Sequence, residues 1–194
     1  LNNYYFPGGN TTKGFFNYYN EILKETTLKR IYTIKGGPGV GKSTLMKETG
    51  RIFEEQNCHI NYYHCSSDPD SLDGVFILEK GILLVDGTSP HIIDPIYPGA
   101  VYEMLNLAEF FDKNILTARK DEIITLTDNI SLTFKKAYRY LKALIPLYED
   151  LEETYKKSIN DNEFYSLIRY LTSDITKEKK GNGFKESKLF LSAI

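Results

Sequence analysis

The sequence predicts an α/β fold in which helices flank a mainly parallel sheet and a large helical addition follows. Three observations predict it. A β-branched and aromatic run, Leu28 to Lys35, leads into a glycine-rich loop and then a helix-forming stretch from Thr44. Val75 to Leu78 and Ile82 to Val85 are apolar runs, and the second shows no alternation, as in a strand covered on both faces. Between Ala100 and Lys180 there is no glycine, and Pro146 is the only proline, which predicts a region almost entirely helical. Strands alternating with helices are the pattern of a layered α/β protein.

Taken in order, residues 1–10 read as irregular, with Pro7-Gly8-Gly9-Asn10 as a turn. Thr11 or Thr12 is expected to cap a helix running to about Lys24, with Phe15, Tyr19, Ile22 and Leu23 on its buried face. After the first strand, loop and helix, His59 to His64 reads as a second strand ending in the acidic loop Cys65 to Gly74. In the second half, Ile130, Phe134, Ala137, Leu141, Leu144, Tyr148, Leu151 and Tyr155 alternate at spacings of four and three, a narrow apolar stripe expected to pack on itself or on the sheet. Pro146 is expected to kink or interrupt that helix. Gly181-Asn182-Gly183 ends the helical region, and Lys188 to Ala193 reads as a last strand or the start of a further module. The expected organisation is a core at 1–100, a helical addition or lid at 101–180, and the terminal piece at 181–194.

A chain of 194 residues suits one domain, or one plus a small appendage, and buries a core without staples. Net charge is −2, with 9 Lys/Arg and 11 Asp/Glu in the first hundred residues and 15 of each in the rest. Neither half is basic, so composition argues against nucleic acid or a membrane surface as partner. Two cysteines, no secretory leader and no long apolar run suit a cytoplasmic setting. The chain begins at Leu1, which suggests a trimmed or partial product.

The chemistry centres on Gly36-Gly37-Pro38-Gly39-Val40-Gly41-Lys42-Ser43, a full match to the phosphate-binding P-loop, followed by Thr44. The glycines permit a tight backbone with no Cβ in the way of phosphates. Lys42 is a point charge for the β- and γ-phosphates, and the Ser43 hydroxyl is a ligand for Mg²⁺. Strand, loop and helix together direct main-chain amides at an anion. The fold class sharpens to a P-loop NTPase three-layer sandwich, with ATP and Mg²⁺ as cofactors. Asp86, ending an apolar strand, is expected to hold the metal with Ser43. Asp68 in the acidic loop is the candidate general base, ahead of Asp70 and Asp73, because Asp86 is followed by Gly87 rather than by a glutamate. His91, in Thr88 to Pro95, is read equally as a phosphate-contacting group and as a hydrogen-bonded loop residue. Cys58, His59, His64 and Cys65 make a poor zinc set, because His59 and His64 face opposite sides of a strand. The paired tyrosines read as packing residues. There is no Asn-Lys-x-Asp or Leu-Ser-Gly-Gly motif, which argues against a GTPase and a transporter cassette.

Phe6-Pro7-Gly8-Gly9-Asn10-Thr11, Gly36 to Thr44, Cys65 to Gly74 and Asp86 to Pro95 together resemble a poorly characterised bacterial P-loop ATPase family, often labelled ATPase or nucleotide-kinase-like. The resemblance runs over nearly the whole chain. It implies tandem P-loop modules in a protein about twice this length, this chain being similar to the N-terminal module. Lys188 to Ile194 then resembles the entry to the second module, with Phe190 corresponding to Phe6. The expected activity is slow ATP hydrolysis coupled to a conformational change, with an unknown substrate or protein partner, and a second module or a homo-oligomer as a further contact. Two alternatives stand beside it. One is a nucleotide or small-molecule kinase whose lid presents Arg119, Arg139 or Arg169. The other is a nucleotide-binding switch without turnover.

Overall fold

The computed structural model describes residues 2–177. A six-stranded sheet has the order β1 (Asn3–Tyr5), β5 (Ile60–His64), β6 (Leu72–Ile77), β7 (Ile82–Asp86), β4 (Arg30–Lys35), β8 (Tyr102–Asn106). β1 runs parallel to β5, and β4 runs parallel to both β7 and β8. Only β6 is antiparallel to its neighbours. The protein is therefore α/β with a mainly parallel sheet. Loop length explains the exception. Parallel neighbours need a crossover of about a dozen residues or more. Residues 65–71 and 78–81 are too short for that, so β5, β6 and β7 fold back as a meander.

Alternation along the strands feeds two cores. Ile31, Leu83, Val85, Phe76, Tyr63 and Tyr102 pack with Tyr19 and Ile22 of the short helix α1 (Tyr19–Ile22). Ile34, Leu84, Val75, Ile77, Ile60 and Tyr62 pack with Met46 of α2 (Lys42–Glu54). Met46 and Leu83 are fully buried, and burying one such side chain contributes roughly 1.5–3 kcal/mol.

The N-terminal expectation fails. Residues 1–10 hold β1 and the start of a hairpin, β2 (Gly8–Thr11) and β3 (Gly14–Asn17), and the helix expected from Thr11 or Thr12 shrinks to α1. Thr11 closes a turn instead of capping a helix: its Oγ1 donates to the Gly14 carbonyl at 2.7 Å and accepts from the Lys13 amide at 3.1 Å. The helix starts later, where Asn17 Oδ1 accepts the Tyr19 amide. Tyr19 and Ile22 are nevertheless buried.

The stretch expected to be helical begins with a strand, β8, which completes the sheet. α3 (Lys113–Ala118), α4 (Lys120–Ala143), α5 (Ile145–Ser158) and α6 (Asp161–Lys177) follow. Pro146 lies in the first turn of α5, and the helix breaks at Leu144, as proline chemistry requires. The apolar stripe does not pack as expected: Ile130, Phe134, Leu144, Tyr148, Leu151 and Tyr155 are all exposed. One compact unit ends at Tyr138 and a second begins at Arg139, a boundary inside α4. Gly181-Asn182-Gly183 and Lys188 to Ile194 lie outside the described residues. Among the described residues no helix is long and apolar enough to cross a membrane.

Candidate functional site

The glycine loop fills the gap between the end of β4 and the start of α2. Gly39 and Gly41 have φ of 77° and 94°, left-handed conformations that side chains disfavour. Gly41 is the N-cap of α2 and no side chain caps the helix, so its first amides are available to an anion. Lys42 Nζ donates to the carbonyls of Gly36 (2.8 Å) and Gly37 (3.1 Å) and lies 3.5 Å from Asp86 Oδ2. Ser43 Oγ accepts the Leu72 amide at 2.9 Å, which ties the loop to the start of β6. Pro38, Gly39 and Thr44 are exposed, while Gly36, Gly37, Val40 and Gly41 are half-buried.

Topology brings a second set of groups to the same edge. Ile34 pairs with Asp86 across β4 and β7, so Asp86 stands beside the exit of β4. The antiparallel run of β6 returns its first residues there. A bulge then re-aims one of them: Tyr63 opposes Gly74 and His64 opposes Leu72, leaving Asp73 without a partner in the ladder. Leu72 packs in the core with Met46, while Asp73 lies beside His91. His91 Nε2 is 3.4 Å from Asp73 Oδ2, and donor atoms of Asp73, Asp86 and His91 all lie within 4.8 Å of one another. All three residues are buried.

Burial, helped by the Asp86 charge, pushes the Asp73 carboxyl up to about 6. Burial pushes the His91 imidazole below its usual value, with Asp86 opposing and Lys42 adding to the shift. Tyr19 is pushed well up, mainly by burial and then by Asp73. Its ring stacks on His91 with centroids 4.8 Å apart. The Tyr19 hydroxyl lies beside Asp73 without completing a hydrogen bond, and neither His91 nitrogen has a hydrogen-bond partner.

The loop after β7 is anchored from both sides. Asp86 Oδ1 accepts both the amide (2.8 Å) and the hydroxyl (2.6 Å) of Thr88. Lys35 Nζ donates to the Gly87 carbonyl at 2.7 Å and pairs with Asp94 at 2.9 Å. A Cβ at position 87 would overlap the Thr33 methyl and sit 3.0 Å from the Ile93 carbonyl oxygen. The glycine after Asp86 is thus a packing requirement, and a glutamate has no room there.

Of the residues singled out in the sequence, Lys42, Ser43 and Asp86 converge with the glycine loop. Asp68 lies on an exposed turn, where its Oδ2 accepts the Ser71 hydroxyl at 2.6 Å and its Oδ1 the Asp70 amide at 3.2 Å. Asp73 is a strand residue and not a loop residue. His59 pairs with Glu79, His64 Nδ1 contacts the Pro69 carbonyl, and Arg119 pairs with Glu122 at 2.8 Å. Tyr4 stacks on Tyr62 and Tyr5 on Tyr63, consistent with packing between β1 and β5. Tyr19, Thr88 and Lys35 went unrecognised as site residues. Tyr19 and Thr88 each follow by two positions an Asn or Asp whose side chain accepts their amide, a local signal; Lys35 carries none. A surface hollow lined by Asn2, Glu54, Asn57, Cys58 and His59 lies at the other end of α2 and β5, away from these groups.

No family model, curated protein or solved structure matches the chain.

Proposed function

We propose that the chain is a P-loop NTPase of three-layer sandwich type that binds ATP with Mg²⁺ through residues 36–44 and hydrolyses it slowly. One observation carries the reading: the Lys42 ammonium and the Asp86 carboxylate meet 3.5 Å apart at the mouth of the loop, against a helix N-terminus with no side-chain cap. An ammonium, uncapped amides and a carboxylate are the groups that a triphosphate and its cation need. Lys42 is held by the loop carbonyls and by Asp86. A triphosphate offers it a stronger partner.

The donor set fits Mg²⁺, a hard cation that takes one or two protein oxygens beside phosphate and water. Ser43 Oγ and Asp86 would hold it, with Asp86 Oδ1 engaged by Thr88 and Oδ2 facing Lys42. The bound ion supplies charge neutralisation on the β- and γ-phosphates. Lys42 and the amides orient the phosphate chain. Turnover is slow in this reading because position 87 excludes a carboxylate and both oxygens of Asp68 are occupied by its own turn.

Calorimetry with millimolar Mg²⁺ tests it. The expected result is ATP binding by the wild type and its loss in Lys42→Ala, with slow release of inorganic phosphate from γ-labelled ATP. No heat from any nucleoside triphosphate would sink the proposal. Transfer of the label to a metabolite pool would replace hydrolysis with a kinase activity.

A further inference from the structure

Asp73, Asp86 and His91 come from β6, β7 and the loop after β7, and no single segment of sequence unites them. We propose that these three side chains hold a divalent transition-metal ion of the manganese, cobalt or zinc class. The site does not depend on nucleotide, since neither the glycine loop nor Lys42 contributes a donor.

Two independent observations point to a cation. The first is the donor cluster itself: two carboxylates and an imidazole, all buried, with donor atoms within 4.8 Å of one another. Two ligands about 2.1 Å from a shared ion stand roughly 3–3.5 Å apart at tetrahedral or octahedral angles. His91 Nε2 and Asp73 Oδ2 are separated by 3.4 Å, and the Asp86 donor lies within 4.8 Å of both. The second is the imidazole. The His91 side chain is only 5% exposed, faces Asp73, and has no hydrogen bond on either nitrogen. A buried ring nitrogen without a partner is costly, and coordination is what an imidazole aimed at two carboxylates can make. Stacking on Tyr19 holds the ring plane, and Phe15 flanks it with centroids 6.1 Å apart.

Donor chemistry selects the metal. Mg²⁺ prefers oxygen donors and leaves imidazole alone, whereas Mn²⁺, Co²⁺ and Zn²⁺ accept mixed nitrogen and oxygen sets. The two carboxylates match a dication, and Lys42, 3.5 Å from Asp86, competes with it. That competition gives a signature: removing the Lys42 charge strengthens metal binding, while a nucleotide site loses affinity on the same change.

The test titrates nucleotide-free protein with Co²⁺ alone, followed by its visible absorption, and with Mn²⁺ alone, followed by broadening of histidine ring resonances. The sequence has three histidines, His59, His64 and His91, so the broadened ring can be assigned. The expected result is one Co²⁺ per chain, not displaced by equimolar Mg²⁺. Affinity should fall at least about tenfold in His91→Gln, since even outer-shell partners of a metal are worth that much, and rise about tenfold in Lys42→Met. Mn²⁺ should broaden His91 first. Equal Co²⁺ affinity in the wild type and His91→Gln, displacement by equimolar Mg²⁺, or first broadening of His59 or His64 would each overturn the proposal. The Mn²⁺ measurement needs no variant, so a misfolded His91→Gln does not remove the test. Mg²⁺–ATP calorimetry on the wild type separates the two ideas: ATP heat without Co²⁺ binding sinks the metal site alone, and Co²⁺ binding without ATP heat sinks the nucleotide site alone.

Discussion

At the scale of single residues, the site is built at the expense of stability, and Asp73 shows it most clearly. Its carboxyl is pushed up from 3.8 to about 6, because burial and then Asp86 disfavour its charge. A raised carboxyl binds more protons folded than unfolded between those two values. Its effect is absent below about pH 4, and stability then falls as pH rises through 6. At 1.36 kcal/mol per pH unit the full penalty is roughly 2–3 kcal/mol. His91 runs the other way: kept neutral by burial, it favours the folded state increasingly as pH rises through the usual histidine value of 6.5. In metal-free protein with chelator present, Asp73→Asn should therefore be more stable than wild type by roughly 2–3 kcal/mol at pH 7.5 and about equal to it at pH 4. Urea midpoints at the two pH values measure this, and a difference independent of pH would refute it. Gly87 makes the opposite case. Gly87→Ala forces a methyl into the Thr33 side chain, so it should destabilise by about 1–3 kcal/mol even though alanine is the less flexible residue.

At the scale of elements, what could be read in advance divides along physical lines. The loop between β4 and α2 was legible because its signal is local: glycines, a lysine and a serine at fixed spacing. Asp86 was legible because an aspartate ending a buried strand is also a local pattern. The place of Asp73 was not, because a one-residue bulge decides which side of β6 it faces, and a bulge depends on pairing with β5. The N-terminal hairpin was missed for a related reason. Thr11 has the chemistry of both a helix cap and a turn closer, and only the pairing of Gly8 with Asn17 decides between them. The loop after β7 owes its position to Lys35, a residue 52 positions away from Gly87. Charge-assisted hydrogen bonds of this kind are worth about 1.5–3 kcal/mol before solvent exposure reduces them. Lys35→Met should then loosen residues 87–94 alone. Their amide exchange is expected to quicken by about tenfold, equivalent to roughly 1.4 kcal/mol of local opening, with exchange in β7 unchanged. Equal acceleration in β7 and the loop would mean that Lys35 supports the sheet as a whole.

At the scale of the molecule, burial is unevenly shared. The fully buried side chains belong to the sheet and the elements packed on it, among them Ile31, Ile34, Met46, Leu83 and Val85. From Lys120 to Thr176, no described residue is buried, and Ile130, Leu147, Tyr155, Tyr165 and Ile175 are well exposed. Sequence periodicity identifies an apolar stripe, but it cannot say whether a partner covers it, which is why packing was expected here and is not found. Helices draw most of their stability from packing an apolar face, and in isolation even favourable sequences of 12–15 residues are marginal in water. Ile145–Ser158, with 14 residues, is of that length, and Asp161–Lys177, with 17, is only slightly longer. Hydrogen exchange at micromolar protein should therefore show two classes of amide. Those of β4 and β7 should exchange only through global opening, and those of α5 and α6 should exchange faster by about 100-fold or more, a gap of roughly 3 kcal/mol. Repeating the measurement at tenfold higher concentration adds a second reading. If copies of the chain cover one another's stripe, protection of α5 and α6 rises with concentration while that of β4 stays constant. Protection of α5 and α6 equal to that of β4 at the lower concentration would show that these helices are stabilised as firmly as the sheet, against what their burial implies.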